Sequence, residues 1–188
     1  MKKLLPLLLL ILIGCSEPEP LNYGLLVERD GVHYRKDTNE IYSGPVFNIE
    51  GKSEGTLKKG KWNGPVKIYY DNGQLEEEIT YKNGVLDGPY KFYYENGQLE
   101  EEGTIKDGKL DGPYKNYYKN GQLKHVSTLN NGIPYGPYKF YYDNGQLEEE
   151  ITYKNGKKDG PYKFYYDNGQ LEEERTYKDG ELIESKEY

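Results

Sequence analysis

The chain of 188 residues is poor in the residue types that carry most catalytic and redox chemistry. It contains one cysteine, two histidines, one methionine and one tryptophan. One cysteine cannot form a disulfide within the chain or a metal site of several thiolates. His33 and His125 are far apart in the sequence, and no motif supplies a nucleophile for a catalytic triad. We therefore expect a non-enzymatic protein with no cofactor, no metal and no small-molecule substrate.

Positive charge is scarce as well. The chain has 25 lysines and arginines against 32 aspartates and glutamates, a net charge of −7. Nucleic-acid binding requires a basic face, so this balance argues against a nucleic-acid partner. It also argues against binding of the folded part to anionic lipid headgroups.

The longest hydrophobic run is too short to cross a bilayer. It extends over ten residues, from Leu4 to Ile13, with one proline, whereas a transmembrane helix needs about 20 residues. Two lysines precede the run, and Gly14 and the only cysteine, Cys15, follow it. Residues 1–14 are therefore predicted to be a signal peptide.

The end of this run, Leu12-Ile13-Gly14-Cys15, resembles the lipobox of bacterial lipoprotein precursors. The resemblance implies cleavage before Cys15 and attachment of acyl chains to it, which would hold the protein at a membrane. Ser16 resembles the outer-membrane sorting pattern, so in a host with two membranes we expect the outer one. Residues 15–21 would then be the lipidated cysteine and an acidic tether. An uncleaved signal with an incidental cysteine is the alternative.

What the chain has in abundance is repetition, with 23 glycines and 22 tyrosines at regular intervals. A 24-residue unit that opens on Gly-Pro recurs over residues 64–183. Residues 22–63 are predicted to form an irregular β cap with a shortened unit, and residues 184–188 a C-terminal tail. Gly-Pro opens the five units at Gly64, Gly88, Gly112, Gly136 and Gly160.

Each unit contains two runs rich in Tyr, Phe, Ile and Thr, separated by Asn-Gly or Asp-Gly. This pattern is typical of β-hairpins, and no window has sustained helical periodicity. One unit cannot bury its apolar side chains alone, so neighbouring units must stack. The sequence predicts an all-β protein, an elongated, twisted, single-layer antiparallel sheet of 24-residue hairpin repeats.

A type I′ turn at every Asn-Gly predicts the strand register. With Asn96-Gly97 at such a turn, Tyr94 faces Leu99 and Lys91 faces Glu102. With Asn83-Gly84 at the preceding turn, the other neighbour of Lys91 is Glu76. Lysines of the repeats are thus expected between two glutamates. We call their side of the sheet the charged face, and the opposite side, expected to carry Tyr90, Phe92, Tyr94 and Leu99, the aromatic face.

The core of the unit, Gly-x-x-x-x-Tyr-Tyr-x-Asn-Gly-x-Leu followed by Tyr-x-x-Gly, resembles the bacterial variant of the MORN repeat over residues 44–183. Such repeats occur in secreted proteins, in lipoproteins and in the YwqK-type antitoxins. The resemblance implies a scaffold for an unidentified protein partner and transfers no catalytic residue. An antitoxin that binds a toxin, or a glycan-binding envelope module, are the alternatives.

Two sets of residues are candidates for partner binding. One tyrosine per unit is predicted on the charged face, either as an interface or as a cross-strand ladder that stabilises the sheet. The unit at residues 112–135 departs from the pattern, and the register sets Lys124 opposite Lys139. That basic set either receives an acidic group or reflects neutral drift. The tyrosine row is Tyr69, Tyr93, Tyr117, Tyr141 and Tyr165; the basic set is Lys115, Lys119, Lys124, His125 and Lys139.

A column of glutamates is expected on the aromatic face. Its uniformity gives no reason for one carboxylate to act as an acid and another as a base. We expect these carboxylates to accept hydrogen bonds from tyrosine hydroxyl groups rather than to catalyse a reaction. The column consists of Glu77, Glu101, Glu149 and Glu173.

Overall fold

The computed structural model describes residues 18–48 and 50–188. The signal peptide predicted over residues 1–14 and the lipid attachment predicted at Cys15 lie outside the described residues. No helix in the described ranges is long and apolar enough to cross a membrane.

The described chain is built almost entirely of strands, together with a single 3₁₀ turn at Tyr23–Leu25. The strands are β1 Leu21–Asn22, β2 Leu26–Arg29, β3 Val32–Arg35, β4 Gly44–Phe47, β5 Ser53–Lys58, β6 Lys61–Trp62, β7 Gly64–Tyr69, β8 Leu75–Lys82, β9 Val85–Tyr93, β10 Leu99–Lys106, β11 Lys109–Leu110, β12 Gly112–Tyr117, β13 Leu123–Asn130, β14 Ile133–Pro134, β15 Gly136–Tyr141, β16 Leu147–Lys154, β17 Lys157–Tyr165, β18 Leu171–Lys178 and β19 Glu181–Glu187.

From β4 to β19 each strand pairs antiparallel with the strand before it, if β6–β7, β11–β12 and β14–β15 are each counted as one interrupted strand, and together they form one long open sheet. The short strands β6, β11 and β14 continue into β7, β12 and β15 after a break of one residue. β1 pairs parallel with β4, and β2 and β3 form a separate hairpin. The structure confirms the predicted all-β repeat sheet.

The cap, over residues 22–63, contains the main hydrophobic cluster. Leu26, Tyr42, Val46 and Leu57 are buried there, and Leu21 and Trp62 pack against them. The two-strand hairpin β2–β3 turns at Asp30-Gly31, where both residues have positive φ, as the Asp-Gly pair predicts. In the repeats only scattered side chains, such as Tyr90 and Ile151, are fully buried. Much of the stability of the repeats must therefore come from contacts between neighbouring units.

The type I′ prediction is right for one of the two turns in each unit. At Asn83-Gly84 both residues have positive φ, 52° and 84°, and the equivalent pairs from Asp107 to Gly180 behave alike. At Asn96-Gly97 only the glycine has positive φ, 80°. There Gly97 N donates to Tyr94 O and Tyr94 N donates to Gln98 O, so the loop has three residues instead of two.

This longer loop corrects one predicted pair. Leu99 lies opposite Tyr93, not Tyr94, and a one-residue bulge then restores the predicted pairing of Lys91 with Glu102. Because paired residues share a face, Leu99 lies on the charged face. Its predicted position on the aromatic face was wrong.

The second neighbour of Lys91 was also predicted wrongly. Lys91 lies opposite Glu78, not Glu76, because β9 has two extra residues between the Tyr81–Leu86 pair and the Ile79–Tyr90 pair. The extra residues fall at the Gly-Pro segment, where proline has no N–H to donate to the sheet. A slip of two residues leaves the side chains on the same face. Lys163 likewise lies between Glu150 and Glu174, not between Glu148 and Glu174.

Two predicted boundaries, between the tether and the cap and between the last repeat and the tail, differ from the structure. β1 takes up residues 21–22, so the predicted tether already enters the sheet. Residues 184–187, predicted as part of a tail, belong to β19 and pair with β18. The sequence of β19 lacks Gly-Pro and Asn-Gly, which explains why the repeat pattern did not extend to it.

Candidate interaction surface

Side chains at the three-residue turns join each unit to the next. The hydroxyl group of Tyr94 donates to the carbonyl oxygen of Tyr117 at 2.7 Å, 23 residues further on. Tyr70, Tyr118 and Tyr142 make the same bond at 2.6–2.7 Å. These bonds run along the row of three-residue turns on one side of the sheet and fix the spacing of successive units.

The asparagine of the same turn makes two bonds. Oδ1 of Asn96 accepts from the main-chain N–H of Gln98 at 3.0 Å, and Nδ2 donates to the carbonyl oxygen of Lys119 at 2.9 Å. The amide therefore shapes its own turn and binds the next one. Asn72, Asn120 and Asn144 repeat both contacts.

The tyrosine row lies on the charged face, and each member is opposite a leucine. The pairs are Tyr69–Leu75, Tyr93–Leu99, Tyr117–Leu123, Tyr141–Leu147 and Tyr165–Leu171. All five tyrosines are half-buried. This packing agrees with the ladder alternative, although part of each ring remains accessible.

Some hydroxyl groups of the tyrosine row donate hydrogen bonds to glutamates within the sheet. Tyr69 donates to Glu54 at 2.8 Å and Tyr117 donates to Glu102 at 3.0 Å. Burial, together with the neighbouring carboxylate, raises the pKa of both tyrosines to about 12. Tyr188 donates in the same way to Glu174, at 3.2 Å. Tyr188 thus has the contact of a row tyrosine, and sequence reasoning missed it because no Asn-Gly-Gln-Leu follows it.

Shallow grooves recur on the charged face between successive Gly-Pro segments. One groove of about 270 Å³ lies between Pro89 and Pro113, with Thr104 between them. Another, of about 350 Å³, lies between Pro65 and Pro89, with Thr80 between them. Lysines and glutamates line both grooves. The charged face therefore offers similar recesses at the step of the repeat.

The five residues of the predicted basic set do not form one cluster. Lys115 and Lys139 lie on the charged face, both opposite Val126, and bind Glu102 and Glu150 at 3.3 and 2.9 Å. The predicted Lys124–Lys139 pair was wrong, because two extra residues between the Leu129–Pro134 pair and the Val126–Lys139 pair, at the Gly-Pro segment, shift the register by two.

The other members of this set contact aromatic rings. The ammonium groups of Lys119 and Lys124 lie over the rings of Tyr94 and Tyr118, at 5.8 and 5.5 Å from the ring centroids. His125 lies on the opposite, aromatic face, stacked on Phe140 with ring centroids 4.3 Å apart. Burial lowers the pKa of His125, which favours its neutral form. An acidic group therefore cannot meet all five residues at once.

The glutamate column lies on the aromatic face. Glu101 accepts hydrogen bonds from the hydroxyl groups of Tyr90 and Tyr114 at 2.7 and 2.9 Å, as expected for a structural role. Burial raises the pKa of Glu77 and of Glu149. At Glu173 a hydrogen bond from Arg175 lowers the pKa instead. The members thus differ in environment more than the uniform sequence predicts.

An apolar cleft of about 280 Å³ lies where the cap meets the first repeat. Trp62 stacks on Tyr23 there, with ring centroids 5.7 Å apart, and Phe47 and Tyr81 complete the aromatic lining. Sequence reasoning did not single out this cleft. The signal was the chain's only tryptophan, at a position where later units have leucine, proline or lysine.

Within residues 18–48 and 50–188, no group of three or more histidine, cysteine, aspartate or glutamate side chains is placed to hold a metal ion.

A comparison with known families identifies the repeat. The MORN repeat variant matches the chain five times in succession, at residues 62–83, 86–107, 110–131, 134–155 and 158–179, which together make up more than half of it. The chain belongs to the MORN repeat variant family. Successive matches begin 24 residues apart, in agreement with the step in the sequence. No curated protein matches the chain.

Proposed function

We propose that this MORN-repeat protein is a lipid-anchored, non-enzymatic scaffold of the bacterial cell envelope that binds an elongated protein partner along its charged face. The observation that carries the proposal is the regular surface of that face. Every unit presents a half-buried tyrosine opposite a leucine, beside a lysine opposite at least one glutamate.

The surface is suited to a protein partner because its spacing is fixed before binding. Hydrogen bonds from tyrosine and asparagine side chains hold the successive three-residue turns together. A preorganised surface loses little conformational entropy when it binds. Tyrosine adds contact area and a hydroxyl group at low entropic cost, and it is frequent in protein interfaces.

The proposed anchor rests on the sequence of residues 1–15. A short apolar run behind two lysines ends at the chain's only cysteine. Several acyl chains at Cys15 would give stable membrane attachment, whereas one chain gives only marginal binding. The repeat sheet would then lie close to the membrane that carries it.

Photo-crosslinking in the native host tests the partner and the face together. A photoreactive residue replaces Tyr141 on the charged face, and a matched variant carries it at Tyr138 on the aromatic face. Both positions are half-buried in β15. We expect a discrete protein adduct from position 141 and none from position 138. Adducts from position 138 alone, or from neither position, would contradict the proposal.

The same experiment separates the alternatives. A secreted or neighbouring toxin in the adduct would identify the antitoxin role. An adduct that glycosidases shorten would identify the glycan-binding role, for which repeated tyrosines are also suited. Both outcomes would replace the protein scaffold as the function.

A further inference from the structure

The outermost strand of the repeat sheet, β19, has the construction of the first strand of a repeat. Lys186 lies opposite Glu174, as Lys91 lies opposite Glu78. The last described residue, Tyr188, donates its main-chain N–H to Glu172 O. In the described part of the chain β18 alone pairs with β19, so the other side of β19 has no partner strand there, and all residues of β19 are exposed.

The residues of β19 whose main-chain N–H and C=O groups point away from β18 can be assigned. The N–H of Tyr188 points inward to β18, and main-chain groups alternate in direction along a strand. The N–H and C=O of Ser185 and Glu187 therefore point outward. Unpaired groups of this kind are a template for another strand.

The charge pattern of the sheet is incomplete at this edge. Within the repeats, Lys91 lies between Glu78 and Glu102, and Lys163 lies between Glu150 and Glu174. Lys186 has a glutamate opposite it on β18 only. A strand that carries a glutamate opposite Lys186 on the outer side would complete the pattern.

We propose that β19 pairs antiparallel with β19 of a second copy of this chain, about a two-fold axis at Ser185. In this register the two Ser185 residues exchange main-chain hydrogen bonds. Each Lys186 then faces Glu184 of the second copy, so that every dimer contains two such pairs. Each Lys186 is flanked by Glu174 of its own chain and Glu184 of the other, as lysines are within the repeats.

Neighbouring registers are unfavourable for reasons of charge. An axis at Glu184 sets two glutamates opposite each other, and an axis at Lys186 sets two lysines opposite each other. Like charges directly opposite in a sheet are destabilising. The axis at Ser185 also covers part of Leu182 and Tyr188, which are 54% and 58% exposed in the single chain.

Cysteine cross-linking of the full chain in membranes tests the register. In an antiparallel pair of this type the two Cα atoms at position 185 lie about 5.5 Å apart, within the range of a disulfide. Under mild oxidation we expect Ser185→Cys to form a covalent dimer. Glu181→Cys, on the same exposed strand but four residues from the axis, is the matched control and should stay monomeric. Wild type, which retains Cys15, gives the background.

Charge exchange tests the partner residues. In the Ser185→Cys background, Glu184→Lys should lower the dimer yield several-fold, since it sets a second lysine opposite Lys186. Glu184 faces Thr176 in its own chain, so this change disturbs no internal ion pair. Adding Lys186→Glu should restore most of the yield. No dimer from Ser185→Cys, equal dimer from Glu181→Cys, or a yield insensitive to Glu184→Lys would overturn the proposal. Circular dichroism of each variant verifies that the sheet is retained.

Discussion

The hydroxyl group of Tyr94 and the main-chain carbonyl oxygen of Tyr117, 23 residues apart, are joined by a hydrogen bond of 2.7 Å. The bond crosses from one unit to the next at the three-residue turn. The same bond recurs at Tyr70, Tyr118 and Tyr142. Neighbouring units are therefore joined by tyrosine side chains as well as by the main-chain hydrogen bonds of the sheet.

Tyr94→Phe should destabilise the sheet by about 1 kcal/mol, because it leaves the carbonyl oxygen of Tyr117 without this donor. Tyr166→Phe is the matched control. Tyr166 has the same place in the last unit, but its hydroxyl group has no hydrogen-bond partner among the described residues. Urea unfolding followed by circular dichroism measures both variants. Equal losses would mean that the bond between units contributes nothing.

Asn96→Asp should also weaken the contact between units. The aspartate retains Oδ1, which accepts from Gln98 N, but it loses the donor that binds Lys119 O. A carboxylate oxygen would then face a carbonyl oxygen, and we expect a loss of about 1 kcal/mol or more. In Asn168→Asp the replaced amide contacts only its own turn, at 3.4 Å, so this variant should be close to wild type. Urea midpoints of the two variants test the difference.

The Asn-Gly pairs show what could be predicted from the sequence and what could not. Asn-Gly correctly predicted a hairpin turn at every occurrence. Asn83 has the positive φ of a type I′ turn. Asn96 does not, and its side-chain amide instead makes hydrogen bonds to Gln98 N and Lys119 O. The preference of Asn-Gly for type I′ turns does not distinguish the two-residue turn at Asn83 from the three-residue turn at Asn96. The carbonyl oxygen of a neighbouring unit does not decide the turn type either, because Asn168, whose amide contacts only its own turn, forms the same three-residue turn as Asn96.

The face of a residue was easier to predict than its partner. Lys91 was correctly placed on the charged face, because a slip of two residues leaves the face unchanged. Its neighbour Glu78 was missed, because the Gly-Pro segment adds residues to one strand only. His125 shows the same limit for the candidate site. Its charge grouped it with the nearby lysines, but its alternation in the strand places it against Phe140 on the other face.

Lys91→Glu should destabilise the sheet more than Lys115→Glu does. Lys91 has a glutamate opposite it on both sides, and Lys115 has Glu102 on one side and Val126 on the other. Each cross-strand charge pair contributes roughly 0.2–1 kcal/mol, so the loss should be about twice as large for Lys91. Thermal melting of the two variants measures it.

A second substitution tests the corrected register. Glu78→Lys, introduced into Lys91→Glu, should recover part of the lost stability because the two residues lie opposite each other. Glu76→Lys in the same background should recover less. Greater recovery with Glu76→Lys would support the uncorrected register.

Glu149→Gln should stabilise the protein at neutral pH. Burial raises the pKa of Glu149, so the folded state binds its proton more tightly than the unfolded state does. This contribution to stability is full below the unfolded pKa, near 4.3, and is lost as the pH rises through the folded pKa. At neutral pH the variant therefore avoids a buried charge. Its advantage in melting temperature should shrink as the pH falls through the folded pKa and should be gone below about 4.

Glu173→Gln, in the same column, should have the opposite sign. The hydrogen bond from Arg175 lowers the pKa of Glu173, so this carboxylate contributes stability above its unfolded pKa and loses it as the pH falls through the folded pKa. The variant should melt below wild type at neutral pH, with a difference that vanishes in acid. The same sign for both variants would show that the two environments do not differ as described.

Cys15→Ser should abolish metabolic labelling with a clickable palmitate and release the protein from the membrane fraction. The reason is chemical, because serine lacks the thiol to which the lipid would be attached and Cys15 is the only cysteine of the chain. Ser16→Ala is the matched control. It alters the adjacent position without removing the thiol, and it should remain labelled and membrane-bound. Labelling of Cys15→Ser at the wild-type level would rule out the lipid anchor. Release of both variants would show that the neighbourhood of the cysteine, rather than its thiol, is required for membrane attachment.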